Sequence, residues 1–126
     1  MTQEDKDLLF KDICARLPYG VIMTNIELSE THYPLTCEDL HDAMFGDDWN
    51  DVPYLRPMSS MTDEEKKEYQ SLCEMHIERD ADDDVTYYYF DTIESFDWLN
   101  KKMFDYRGLI PKDLALSTDE FNPYKD

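Results

Sequence analysis

Residues 92–110, TIESFDWLNKKMFDYRGLI, set the expected fold of this chain. Ile93, Phe96, Leu99 and Met103 recur at spacings of three, three and four, which places them on one helical face. Thr92 or Asp91 can cap the start of such a helix, and Gly108 can end it. Trp98 lies off that line. The stretch reads as scaffold, the back wall of a core, rather than as chemistry.

The rest of the fold is read outward from this helix. Just upstream, residues 85–90 (VTYYYF) have the β-branched and aromatic content of a strand. Alternation puts Tyr87 and Tyr89 on one face and Tyr88 and Phe90 on the other. One face is expected to be core. The other is either an exposed aromatic patch suited to protein binding or is covered by helices. Before that strand, Thr62-Asp63-Glu64-Glu65 is a capping box. It predicts a helix from Asp63 to about Arg79, with Tyr69, Leu72, Cys73 and His76 inward. Thr2 with Asp5 predicts a first helix, with Leu9, Ile13 and Leu17 stacked on one face and Pro18 as its stop.

Between these helices, residues 21–28 (VIMTNIEL) read as a strand. Residues 32–36 and 52–55 read as short edge strands because they contain Pro34 and Pro53. Residues 38–45 read as a short helix, followed by a turn at Gly46-Asp47-Asp48. The expected fold class is α+β, three main helices packed on a small antiparallel sheet. Residues 1–116 form one domain, and 117–126 form a polar tail that frays.

Composition narrows the function. The 126 residues carry 30 acidic and 12 basic side chains, a net charge of −18. Direct nucleic-acid binding needs Lys and Arg against phosphate, and anionic lipid repels such a surface, so both are excluded. Partners should be basic proteins or metal ions. A hydrophobic fraction of 41% and an aromatic fraction of 13% argue for a folded protein with an aromatic-rich core. No apolar run approaches the ~20 residues that span a bilayer. The N-terminus, MTQEDKDLLFKD, lacks a secretory core. Three cysteines at irregular spacing do not make a disulfide framework. A reducing cytoplasmic setting is expected.

Three groups of motifs occur in order: ARLPYGV at 15–21, YLRPMSSMT at 54–62, and DWLN at 97–100 with FDYRGLI at 104–110. This set resembles short uncharacterised proteins encoded by phages and mobile elements of gut anaerobes. The resemblance covers both ends and the middle and leaves out 23–52 and 78–92. No activity is assigned to that family, so the resemblance implies none. It does suggest an inhibitor or regulator directed at a host protein.

The segments outside the resemblance hold most of the excess charge. Glu27, Glu30, Asp39, Asp42, Asp47, Asp48 and Asp51 fall in a stretch free of Lys and Arg, and Asp80, Asp82, Asp83 and Asp84 fall in another. Spaced carboxylates can imitate nucleic-acid phosphates and occupy the basic groove of a nucleic-acid-handling protein. Solvation of the surface is the plainer account. Asp80-Ala-Asp82-Asp-Asp84 opens like a calcium loop, but Val85 stands where Gly is needed and Asp91 where Glu is needed. Cys37 with His41, and Cys73 with His76, have helical spacing and a donor set suited to zinc; lining a buried helical stripe is the alternative. No nucleophile elbow, phosphate loop, dinucleotide fingerprint or zinc-protease motif is present. The sequence therefore points to a non-enzymatic, cofactor-free protein that binds a basic protein partner. A structural or zinc-binding domain is the alternative.

Overall fold

A threonine opens each helix. Thr2, Thr36, Thr62 and Thr92 accept a hydrogen bond from the backbone N–H three residues on, at 3.1, 3.2, 3.1 and 3.1 Å. The side chain of that third residue (Asp5, Asp39, Glu65 or Ser95) bonds back to the threonine N–H. Each box satisfies two N–H groups that a helix start leaves unpaired.

The computed structural model describes residues 2–25, 32–45 and 50–125, apart from the side chains of residues 44 and 45. In chain order the elements are α1 (Gln3–Arg16), β1 (Ile22–Asn25), β2 (His32–Pro34), α2 (Cys37–Phe45), β3 (Asp51–Leu55), α3 (Asp63–Leu72), β4 (Glu74–Arg79), β5 (Val85–Phe90), α4 (Ile93–Lys101) and β6 (Leu116–Ser117). The class is α+β, with four helices and two small sheets among the described residues. The larger sheet has the order β2-β1-β3-β6, and β4 pairs only with β5. The sheet is not purely antiparallel, because β6 runs parallel to β3. Pro34 sits on an edge strand as expected, whereas Pro53 sits on an inner one. Only Tyr54 and Leu55 pair with β6, so Pro53, which has no N–H, is not asked to donate across that side.

Two further expectations need correction. The predicted helix over 63–79 stops at Leu72, and Cys73 turns extended into β4. Residues 74–79 (EMHIER) alternate polar and apolar up to Ile77, a period-two signal that outweighs a capping box many residues back. The helix of 92–110 stops at Lys101 rather than near Gly108. Met103 takes a left-handed conformation (φ 63°). Its N–H donates to Asn100 O at 3.2 Å and the Phe104 N–H to Leu99 O at 3.0 Å, which is a Schellman ending. Glycine usually fills that position. Here Met103 is only 4% exposed, and its core packing offsets the backbone strain. The inward face of α4 is Ser95, Trp98, Leu99 and Asn100, while Ile93 is 80% exposed. Trp98 is therefore core.

The interior has two clusters. Leu9 and Ile13 of α1 pack with Val21, Met23, Leu35, Leu55, Met103 and Leu109. Trp98, Leu99 and Phe104 pack with Met61, Tyr69, Leu72 and Tyr106. Between them lies an ionic network. Arg16 and Asp12 are fully buried and paired at 2.9 Å, and Arg107 reaches the same carboxylate at 2.8 Å. Arg16 also donates to Phe104 O at 2.6 Å. The core is mainly aliphatic, since many of the aromatics lie elsewhere. Up to Lys125 the C-terminal segment makes contacts with the larger sheet. Thr118 N–H donates to Leu55 O at 3.0 Å, and Phe121 stacks on His32 at 4.8 Å. The Tyr124 hydroxyl donates to Tyr54 O at 2.8 Å and accepts from Ile22 N–H at 2.9 Å.

Candidate interaction surface

The β4–β5 ribbon stands apart from both core clusters, and every residue of its two strands is exposed. Its turn is built from acid. The Asp80 carboxylate accepts from Asp82 N–H at 2.9 Å and Asp84 N–H at 3.0 Å, and Asp80 N–H donates to Asp84 O at 3.1 Å. Asp83 supplies the left-handed residue (φ 60°), which aspartate tolerates better than most side chains. The sequence that opens like a calcium loop is thus a hairpin turn, with Asp80 occupied by the backbone. Asp82, Asp83 and Asp84 remain exposed at the tip.

Register sorts the ribbon into two unlike faces. Met75 opposes Tyr89, Ile77 opposes Tyr87 and Arg79 opposes Val85, so all six share one face. Its five apolar members are 40–57% exposed. The other face carries Glu74, His76, Glu78, Thr86, Tyr88 and Phe90, with His76 edge-on to Phe90 at 5.0 Å. The expectation that one face of VTYYYF is core does not hold. Among the described residues no element covers either face, and a two-stranded ribbon is marginal in water without a cover.

At its root the apolar face meets a groove of about 300 Å³ lined by Met58, Met61, Tyr69, Cys73 and Tyr89, among others. Tyr69 is fixed by a hydrogen bond to Asp91. Burial, and then that carboxylate, raises its hydroxyl well above the usual range and keeps it a neutral donor. Methionines at 58, 61 and 75 give the surface adaptable apolar contacts. The alternation in VTYYYF grouped Tyr87 with Tyr89 from sequence, and the alternation in EMHIER could have added Met75 and Ile77; the groove methionines carried no signal.

The acidic residues proposed from sequence that the structure describes serve different places in the fold. Glu27, Glu30, Asp47 and Asp48 lie outside the described residues. Asp39 caps α2 through Thr36. Asp51 accepts from Asn25 at 2.9 Å and from the Tyr33 hydroxyl, and is half-buried. Asp42 is exposed on α2. The paired zinc candidates are not gathered either. Cys37 and His41 share α2, whereas Cys73 ends α3 and His76 lies on β4. Among the described residues, no three His, Cys, Asp or Glu side chains come together as a metal site, and no helix is long and apolar enough to cross a membrane.

A second concavity lies on the main body. It has a volume of about 610 Å³, and its lining includes Arg56, Lys101, Lys102 and Lys125, with Asp119 as the one carboxylate among the described residues. Arg56 is held by a bidentate pair with Glu65 at 2.8 and 2.7 Å and lies over the Phe104 ring at 4.1 Å. The Arg56 bond lowers the Glu65 pKa to about 2. Comparison of the chain with protein families, with curated proteins and with solved structures finds no match.

Proposed function

We propose that this chain is a non-enzymatic protein-binding module whose contact element is the β4–β5 ribbon. The observation that carries this reading is the uncovered apolar face of Met75, Ile77, Val85, Tyr87 and Tyr89, continuous with the methionine groove. Fully burying a side chain of this size is worth about 1.5–3 kcal/mol, so five half-exposed ones hold a substantial share of an interface energy. The occupant is a basic protein with an apolar strip. Charge complementarity argues for it: Asp82, Asp83 and Asp84 at the tip and Glu74 and Glu78 on the reverse face surround the strip with negative charge. A second copy of the chain would bring a charge of −18 against −18. The resemblance to phage-encoded proteins fits a partner supplied by a host. Mimicry of nucleic acid has less support, because Asp51 spends both carboxylate oxygens, and Asp39 and Asp80 one each, on hydrogen bonds within the fold.

The test compares three baits in a lysate pull-down at low and high salt: the unaltered chain, Ile77→Glu with Tyr87→Glu, and Asp82→Asn with Asp83→Asn and Asp84→Asn. The reading requires a basic protein that the ribbon-face variant loses and that the tip variant and salt weaken. Equal capture by all three baits refutes it. Sedimentation showing a dimer that the ribbon-face variant abolishes would make a second copy the occupant.

A further inference from the structure

We propose that the 610 Å³ cleft is an anion site that takes a small phosphorylated molecule. Of the 12 Lys and Arg in the chain, four (Arg56, Lys101, Lys102 and Lys125) line this one cavity, in a chain where acid outnumbers base 30 to 12. The buried or half-buried arginines are matched: Arg16 and Arg107 by Asp12, and Arg56 by Glu65. Lys101, Lys102 and Lys125 have no carboxylate within 4.0 Å among the described residues; the same holds for the other lysines, so what sets these three apart is that they gather in one concavity. Unpaired lysines converging from two separate segments leave a local positive field inside a negative molecule. The last turn of α4 accounts for Lys101 and Lys102 through the helix dipole. It does not account for Lys125, which arrives from the C-terminal segment.

The cleft is also built rigidly. Arg56 is pinned from both sides of its backbone, its N–H donating to Met103 O at 2.7 Å and its carbonyl accepting from Asp105 N–H at 2.8 Å. Glu65 uses two of the N–H groups of its guanidinium, and an arginine has five. Tyr124 is fixed by its two backbone bonds, and Asn122 accepts from Tyr124 N–H at 3.0 Å, which leaves its amide N–H groups to donate. Ammonium groups beside amide and guanidinium donors suit phosphate oxygens, and Tyr19 and Met103 in the same lining suit an organic moiety. The volume lies within the roughly 300–1,000 Å³ range of small-molecule sites. Scale sets the ligand class. An extended polyanion meets the whole −18 field, whereas a small anion within the cleft lies nearest the lysines, and salt screens the rest beyond about 10 Å.

The experiment titrates the full chain with pyrophosphate, with ATP and with a short single-stranded oligonucleotide, by calorimetry and by shift in melting temperature. The variants are Lys125→Gln, the pair Lys101→Gln and Lys102→Gln, and Lys11→Gln on the exposed face of α1 as a charge control. Circular dichroism establishes that each is folded. Pyrophosphate or ATP should bind the unaltered chain, Lys125→Gln should bind about ten-fold more weakly, and Lys11→Gln should match the unaltered chain. The proposal is overturned if neither probe binds at about 5 mM. It is equally overturned if Lys11→Gln loses as much as Lys125→Gln, or if the oligonucleotide binds more tightly than ATP. None of these readouts depends on the ribbon.

Discussion

Replacing Asp12 with Asn removes the single negative charge from a buried group of three. The carboxylate is fully buried and accepts from Arg16 Nε at 2.9 Å, Arg16 Nη2 at 3.1 Å and Arg107 Nη1 at 2.8 Å. An amide of the same shape offers one acceptor oxygen and turns an NH₂ toward a guanidinium. Breaking a buried pair by removing one partner costs about 3–5 kcal/mol. Two features set this case at the lower end. Arg16 keeps its bond to Phe104 O, and Arg107 is 17% exposed, so it can turn to water. The expected loss is about 3 kcal/mol, out of the roughly 5–15 kcal/mol that holds a domain folded. The melting temperature should fall by about 10 °C for a chain of this length. Urea unfolding followed by tryptophan fluorescence measures the loss, provided the denaturant slope is unchanged. A loss below about 1 kcal/mol would show that the network is solvated and the reasoning wrong. A second variant separates charge from packing: Asp12→Leu with Arg16→Met should recover more than half of the loss, because well-packed apolar replacements of buried ion pairs are often neutral.

Trp98→Ala should cost about 3–5 kcal/mol in the same urea assay, since Trp98 is 7% exposed and stacks on Phe104 at 5.6 Å; a cost below 1 kcal/mol would put it on the surface. Met103→Gly and Met103→Ala both empty a core position, but only Gly relieves the positive φ, so the Ala variant should be less stable by about 1 kcal/mol. The Gly variant being the weaker would refute the strain argument. Glu65 has its pKa lowered from 4.5 to about 2 by Arg56, so its contribution is present above pH 4.5 and is lost as pH falls from 4.5 through 2. Solvent screening limits it to about 1 kcal/mol, and an acid titration of stability should show that loss in the unaltered chain and not in Arg56→Gln.

Local chemistry placed much of this fold in the sequence. Thr2, Thr62 and Thr92 mark helix starts because a capping box needs only a side chain and a backbone three residues apart. VTYYYF is a strand and Pro34 is at an edge for equally local reasons. Helix ends were less legible. Met103 stops α4 in a conformation that favours glycine, and only the core waiting for its side chain explains that choice. The inward face of α4 was misread for the same cause: spacing groups Ile93 with Phe96, but which stripe is covered depends on Tyr69, Phe104 and Tyr106 arriving beside it. The candidate sites were the least legible. Period two says that Ile77 and Tyr87 share a face once β4 and β5 pair, but not that the face lies open to solvent. Asp12 and Arg107 meet across 95 residues, and Lys125 joins Lys101 and Lys102 only because Tyr124 anchors the C-terminal segment to β3 and to Ile22. Such convergence depends on long-range packing, which no window of sequence contains, so tertiary structure alone decided it.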